Sequence, residues 1–281
     1  MRRLVDFIKA LSATIDSEAA NERSLHPGDD RRATQILLVA SVVLTLVLCF
    51  CQPHTFLSLF GAALSRSPHF GRYSQLCSLS YWCMTRTLLL ALVPIVHIRL
   101  LGEHLSDYGL GKGFSFAASA SAGVAESPPR VSLRTYLALL LVMLPLVVAM
   151  SFSSSFQRAY PFYRQASRSL FDFVTWELEY LSTFCALEFF FRGYLLFGLR
   201  RAFGSQAIFV AVLPYCMFHA GKPPAEALAS IIAGIVLGTL ALASRTIWGG
   251  VLLHVGVAFT MDLSALLQRH AMPDISRIFP T

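Results

Sequence analysis

The sequence predicts an all-α fold: a polytopic transmembrane helical bundle of about seven spans, with a core of four to five helices that carries a polar site. Three observations predict it. Hydrophobic residues make up 55% of the chain and charged residues only 14%, with a mean hydropathy of +0.60. The apolar residues gather into runs near the length of about 20 residues that an α-helix needs to cross the hydrocarbon, instead of recurring at core-forming intervals. Inside those runs stand Glu188, Arg192, His219 and His254. One Arg, Lys or Asp at the centre of a span costs roughly 2.5–3.5 kcal/mol to insert, so ionisable groups at that depth need a reason, and these four read as one site.

Taken in order, the amino-terminal segment 1–34 carries Arg2, Arg3, Lys9, Arg23, Arg31 and Arg32. It has no compact apolar region followed by a small-residue cleavage site, so it is not expected to be a cleaved signal peptide. Leu4, Ile8, Leu11 and Ile15 recur at helical spacing opposite the charges. That pattern predicts a cytoplasmic or interfacial helix on an anionic membrane surface.

Candidate spans follow at 35–52, 82–101, 134–152, 176–199, 206–220, 225–243 and 247–267. The stretch Phe56–Leu64 is too short to cross and is expected at the interface. Span 206–220 is interrupted by Pro214, a break tolerated where neighbouring helices or water satisfy the released carbonyl. Ala117–Pro129 is small, polar and ends in Pro-Pro, which predicts a flexible loop. No internal repeat is visible. The simplest organisation is one membrane domain, with accessory helices and a loop over 35–133, a core over 134–267 and a tail over 268–281.

Orientation follows from Lys and Arg near the span ends. The amino-terminal cluster, Arg99 with Lys112, Arg200 with Arg201, and Arg245 alternate with poorer loops holding Arg66, Arg72 and Lys222. An integral membrane protein with its amino terminus in the cytoplasm is expected, although Arg158, Arg164 and Arg168 fall on the opposite side. The net charge of +7 reflects this asymmetry and attraction to anionic lipid. No basic stripe interleaved with aromatics points to nucleic acid. The six cysteines, Cys49, Cys51, Cys77, Cys83, Cys185 and Cys216, have neither CxxC nor metal-ligand spacing and read as small hydrophobes.

Three elements carry the candidate chemistry. In Leu187-Glu188-Phe189-Phe190-Phe191-Arg192-Gly193, the ions stand four apart, so one helix face holds both and they share the cost of leaving water. A buried ion pair that only fixes helix packing explains these two charges but not the histidines. Tyr215-Cys216-Met217-Phe218-His219 is followed by Gly221 and Pro223-Pro224, which end the helix and set the imidazole near a membrane boundary or cavity mouth. His254 lies well inside an apolar run, and Asp262, eight residues on, shares its face. Ser230, Gly234 and Gly238 form a small-residue ridge read as ordinary helix packing. Glu226 opens the next helix beyond His219. It is either a second carboxylate for the site or an acid that complements the helix dipole.

As an ordered set, Glu188-xxx-Arg192-Gly193, Tyr215-xxx-His219 and His254 after Ile247-Trp248 resemble the CAAX protease and bacteriocin-processing family of intramembrane proteases. The likeness covers roughly 134–265, and Leu101 to Leu110 resembles a polar segment found before that family's core. The resemblance implies an endopeptidase that cleaves a peptide bond near the membrane, in a membrane-associated or C-terminal substrate, and it suggests a bacterial cell membrane and a sorting-signal branch of the family. It implies catalytic Glu188, His219 and His254. The glutamate would activate water, and the histidines would assist proton transfer and steady the oxyanion. Arg192, Tyr215, Glu226 and Asp262 would support them.

Two positions depart from the pattern. Leu187 stands where the first of two adjacent glutamates is usual, and Ala258 where an asparagine follows the last histidine. These departures keep open a non-catalytic relative that holds peptide. No cofactor is expected. Glu188, His219 and His254 with a water would make a catalytic zinc set, but no HExxH-like spacing supports it. A transporter is disfavoured by the lack of a repeat.

Overall fold

The computed structural model describes residues 2–25, 29–66, 71–111, 131–273 and 278–279. Lys112 and the loop expected over Ala117–Pro129 lie outside them. Every regular element among the described residues is helical. The α-helices in order are α1 (Arg2–Leu25), α2 (Asp29–Phe50), α3 (Pro53–Ser65), α4 (Ser74–Thr87), α5 (Val93–Leu100), α6 (Leu133–Ser151), α7 (Ser154–Ala159), α8 (Leu170–Glu188), α9 (Gly198–Phe203), α10 (Ala207–Met217), α11 (Pro224–Ser244) and α12 (Trp248–Gln268), with short 3-10 turns at Leu105–Tyr108 and Gly204–Gln206. Two π-helical segments, Leu88–Leu92 and Phe189–Phe197, join α4 to α5 and α8 to α9. Pro94 sits just past the first, where a residue without an N–H forces the hydrogen-bond ladder to widen.

Among the described residues, six helical stretches are long and apolar enough to cross a membrane: Asp30–Phe50, Ser74–Leu100, Leu133–Ser151, Leu170–Met217, Pro224–Ser244 and Trp248–Gln268. The chain is therefore an all-helical, multi-pass membrane protein, as the composition predicts. The count differs from seven because 176–199 and 206–220 belong to one stretch of 48 residues. That stretch is not straight. Gly204 has φ 56° and ψ −134°, a combination open essentially to glycine alone, and the chain reverses there. The Phe191 and Tyr215 rings meet at 5.4 Å across the reversal. The two sequence-predicted spans are the two legs of this hairpin. α3 buries no residue, which fits a helix too short to cross.

The chain divides into two compact units. The first comprises Met1–Ser41, Pro94–Leu137 and Glu188–Leu252. Here α10 packs on α11 and on the π-helical segment. Gly234 lies against Val212 and Tyr215, and Gly238 against Ile208 and Leu196, so the small-residue ridge is the surface on which α10 rests. Gly102–Leu110 presses Tyr108 onto the π-helical segment, stacking it on Tyr194 at 6.4 Å. Arg32 meets Glu103 at 2.6 Å and donates to the Tyr108 hydroxyl at 2.9 Å. α1 lies on α9 and on the Gly204 turn, with Leu11, Ile15 and Ala19 buried. Its apolar stripe thus turns at least partly toward the protein, while Ile8 stays 45% exposed.

The second unit comprises Val42–Val93, Ala138–Leu187 and Leu253–Thr281. Its core gathers Leu76, Leu79, Cys83, Tyr163, Trp176, Tyr180 and Ala258. Trp176 and Tyr180 stack at 4.7 Å, one turn apart on α8, as helical spacing dictates. None of the six cysteines is joined in a disulfide. Cys51 and Cys83 are buried, Cys83 in that core, whereas Cys49 and Cys185 lie on exposed helix faces.

Candidate functional site

The first unit brings together Glu188, Arg192, Tyr215 and His219. Glu188 ends α8 and is fully buried, and Arg192 is 2% exposed. Their carboxylate and guanidinium lie 3.0 Å apart, as the four-residue spacing predicts even though the helix widens immediately after Glu188. π-helical segments recur at functional sites, and this one is buried at all nine positions. The Arg192 guanidinium lies over the Tyr215 ring, 4.1 Å from its centroid. In a desolvated setting a cation over an aromatic face is attracted by the ring quadrupole. Tyr215 in turn contacts the His219 ring at 4.9 Å. A chain of contacts thus runs from a buried carboxylate to a half-buried imidazole.

The tautomer of His219 follows from its partner. Nδ1 lies 3.1 Å from the Tyr215 carbonyl, which only accepts, so Nδ1 carries the proton and the neutral ring presents its lone pair at Nε2. His219 is therefore set up to take a proton. Only when doubly protonated does it donate from Nε2 to an oxyanion.

Two glycines at the start of α12 shape the other side of Glu188. A Cβ on Gly250 would collide with the Glu188 carboxylate, and one on Gly249 with the Tyr136 ring. Both side chains thus rest on bare backbone at adjacent positions, which only glycine permits. Tyr136 is fully buried, and its hydroxyl lies 2.9 Å from Ser244 Oγ. Ser244 already donates to the Leu240 carbonyl at 2.8 Å, so Tyr136 is the donor of that bond. Glu226 is half-buried in the first turn of α11 and lies 3.6 Å from Lys222, within electrostatic reach of Tyr215.

His254 and Asp262 belong to the second unit. His254 stacks on Phe184 at 5.1 Å. Asp262 is fully buried and accepts the Trp176 indole N–H at 2.7 Å. Between these levels Ala258 packs in the core with Trp176 and Tyr180, where a methyl group contributes packing and no hydrogen bond. Among the described residues, no three His, Cys, Asp or Glu side chains form a group able to hold a metal ion.

Sequence reasoning passed over Tyr136, Gly249 and Gly250, whose signal is tertiary. It also passed over Arg86 and Glu177, for which the signal was present. Both lie inside candidate spans, and the rule that selects Glu188 selects them as well. Glu177 is 5% exposed, and Arg86 stands 4.5 Å over the Trp82 ring.

The fold and this arrangement define a multi-pass helical membrane protein with a buried carboxylate–guanidinium pair leading to a histidine. Residues 171–260 match the family model described as type II CAAX prenyl endopeptidase Rce1-like, and the matched stretch contains Glu188, Arg192, Tyr215, His219 and His254. Searches of curated proteins and of solved structures find no match.

Proposed function

We propose that the chain is an intramembrane endopeptidase of the CAAX-protease type, cleaving a peptide bond near the membrane in a C-terminal or membrane-associated substrate. One observation carries the reading: the continuous contact from Glu188 through Arg192 and Tyr215 to His219, inside the stretch that matches the endopeptidase family. Glu188 activates the water. His219, with a basic Nε2, takes up and returns the proton, and His254 assists. Tyr215 and Arg192 hold the carboxylate and imidazole in register, and Glu226 and Asp262 set the charge around them. Residues 134–267 form the protease core, with the amino terminus in the cytoplasm.

A second reading is that the chain holds peptide without cleaving it. Leu187 and Ala258, 6% and 3% exposed, favour it by putting buried apolar groups where the family pattern has a glutamate and an asparagine.

The experiment uses purified protein in lipid bilayers with a tethered peptide. Cleavage is expected to persist in excess chelator. Glu188→Gln should lower the rate by about 10²–10⁴, the range for loss of a general base. His219→Ala should do similar damage, and the double variant should be no worse than the single ones, because groups that act as a unit are lost only once. Wild-type protein that binds peptide without turnover would establish the second reading.

A further inference from the structure

A chain reversal between two helices opens two sets of backbone groups, the last carbonyls of one helix and the first N–H groups of the next. At Gly204 these are the end of α9 and the approach to α10, and α1 meets both. Arg23 Nε and Nη2 donate to the Arg201 carbonyl at 3.3 and 3.2 Å, and Nη2 also to that of Ala202. Asp16 Oδ1 accepts the Ser205 N–H at 2.7 Å, and its Oδ2 accepts the Ser205 hydroxyl at 3.1 Å. Asp16 and Arg23 stand seven residues apart, about two helical turns, so one face of α1 delivers both. The ion pairs extend this hold. Glu22 meets Arg200 at 2.6 Å and Arg201 at 3.1 Å. Glu18 meets Arg245 at 2.8 Å, in the turn between α11 and α12.

We propose that α1 is a brace for the hairpin that carries Glu188, Arg192, Tyr215 and His219, with Asp16 and Arg23 as positioning residues for that site. The inference takes its site from the proposed function but holds whether that site cleaves peptide or only holds it. A helix serving only as a lipid tether would leave its acidic groups to solvent. Here Asp16, Glu18 and Glu22 all point to backbone or arginines of the hairpin and the next turn, and buried Leu11, Ile15 and Ala19 lie alongside.

The test is hydrogen exchange of the full chain in lipid nanodiscs, followed over residues 203–212. Asp16→Ala should speed exchange there on the order of ten-fold, the scale of a lost helix cap, with Asp16→Asn intermediate because its amide oxygen still accepts. Glu22→Arg should loosen the same amides, and adding Arg200→Glu should restore them in part, by re-forming one of the two pairs, a rescue that general destabilisation would not give. If the peptidase reading holds, Asp16→Ala also lowers kcat while leaving KM in place. Unchanged exchange over 203–212 in Asp16→Ala and Arg23→Gln, or a rise spread evenly along the chain, overturns the brace. Neither result depends on whether peptide is cleaved, so a failed brace is distinguishable from a failed peptidase.

Discussion

Glu188 and Arg192 are both removed from water, and each lowers the cost of burying the other across 3.0 Å. Removing one partner of such a pair is worse than never having had it, because the survivor remains a buried charge. Arg192→Ala is therefore expected to destabilise the protein by about 3–5 kcal/mol, read as a fall in thermal unfolding temperature in detergent or as failure to insert. Glu188→Gln with Arg192→Met, which removes both charges at similar volume, should recover much of that loss. If Arg192→Ala unfolds at the wild-type temperature, the pair is not a structural tie. This pair was legible in the sequence because helical spacing alone brings residues four apart onto one face. The contact of Arg192 with Tyr215 was not, since 23 residues and a chain reversal separate them and no local periodicity reports such a meeting.

Between elements, Glu103, in the segment after α5, joins several polar groups. Its carboxylate receives Arg32 in a two-pronged contact at 2.6 and 2.9 Å, accepts the Tyr108 hydroxyl, and lies 3.5 Å from Arg201. It thereby ties α2 and α9 to the segment that presses Tyr108 onto the π-helical stretch. Burial alone would push the Glu103 carboxyl up. The hydrogen bonds from Arg32 and Tyr108 and the charges of Arg32 and Arg201 outweigh burial and hold it below the ordinary 4.5. A carboxylate whose pKa is lower folded than unfolded adds stability that is complete above the unfolded value and lost as pH falls through the folded one. Unfolding temperature should thus decline as pH drops below about 4.5, and Glu103→Gln should flatten that decline. An equally steep acid decline in Glu103→Gln would assign the effect to other carboxylates. The helices themselves were legible because long apolar runs have few alternatives in lipid. The knot was not, because Arg32 and Glu103 lie 71 residues apart and each reads locally as an ordinary boundary charge.

For the molecule as a whole, hydropathy reports which segments enter the membrane, but Leu is equally suited to a lipid tail and to a neighbouring helix, so it does not report which faces meet. That is why the bundle and its spans were readable while the division into two units was not. The arrangement of turns in the first unit makes topology testable. Glu18 and Glu22 tie Arg200, Arg201 and Arg245 to one helix, so the Gly204 turn and the α11–α12 turn lie at one end of that unit. α11 runs 21 residues from Pro224 to Ser244, roughly 31 Å of helix, close to the hydrocarbon thickness of about 30 Å. The turn at Lys222 must then lie at the opposite boundary. α10 ends at Met217, and the Lys222 N–H donates to the His219 carbonyl at 3.1 Å, so His219 stands within one turn of Lys222, toward the same end of the hairpin, as the Gly and Pro residues after it predict. Single cysteines placed at 201 and 245 in a background lacking native cysteines should react with an impermeant maleimide from one face of the membrane, the cytoplasmic one if positive charge sets orientation. A cysteine at 222 should react only from the other. Labelling of 201 and 222 from the same face would mean that the hairpin does not cross.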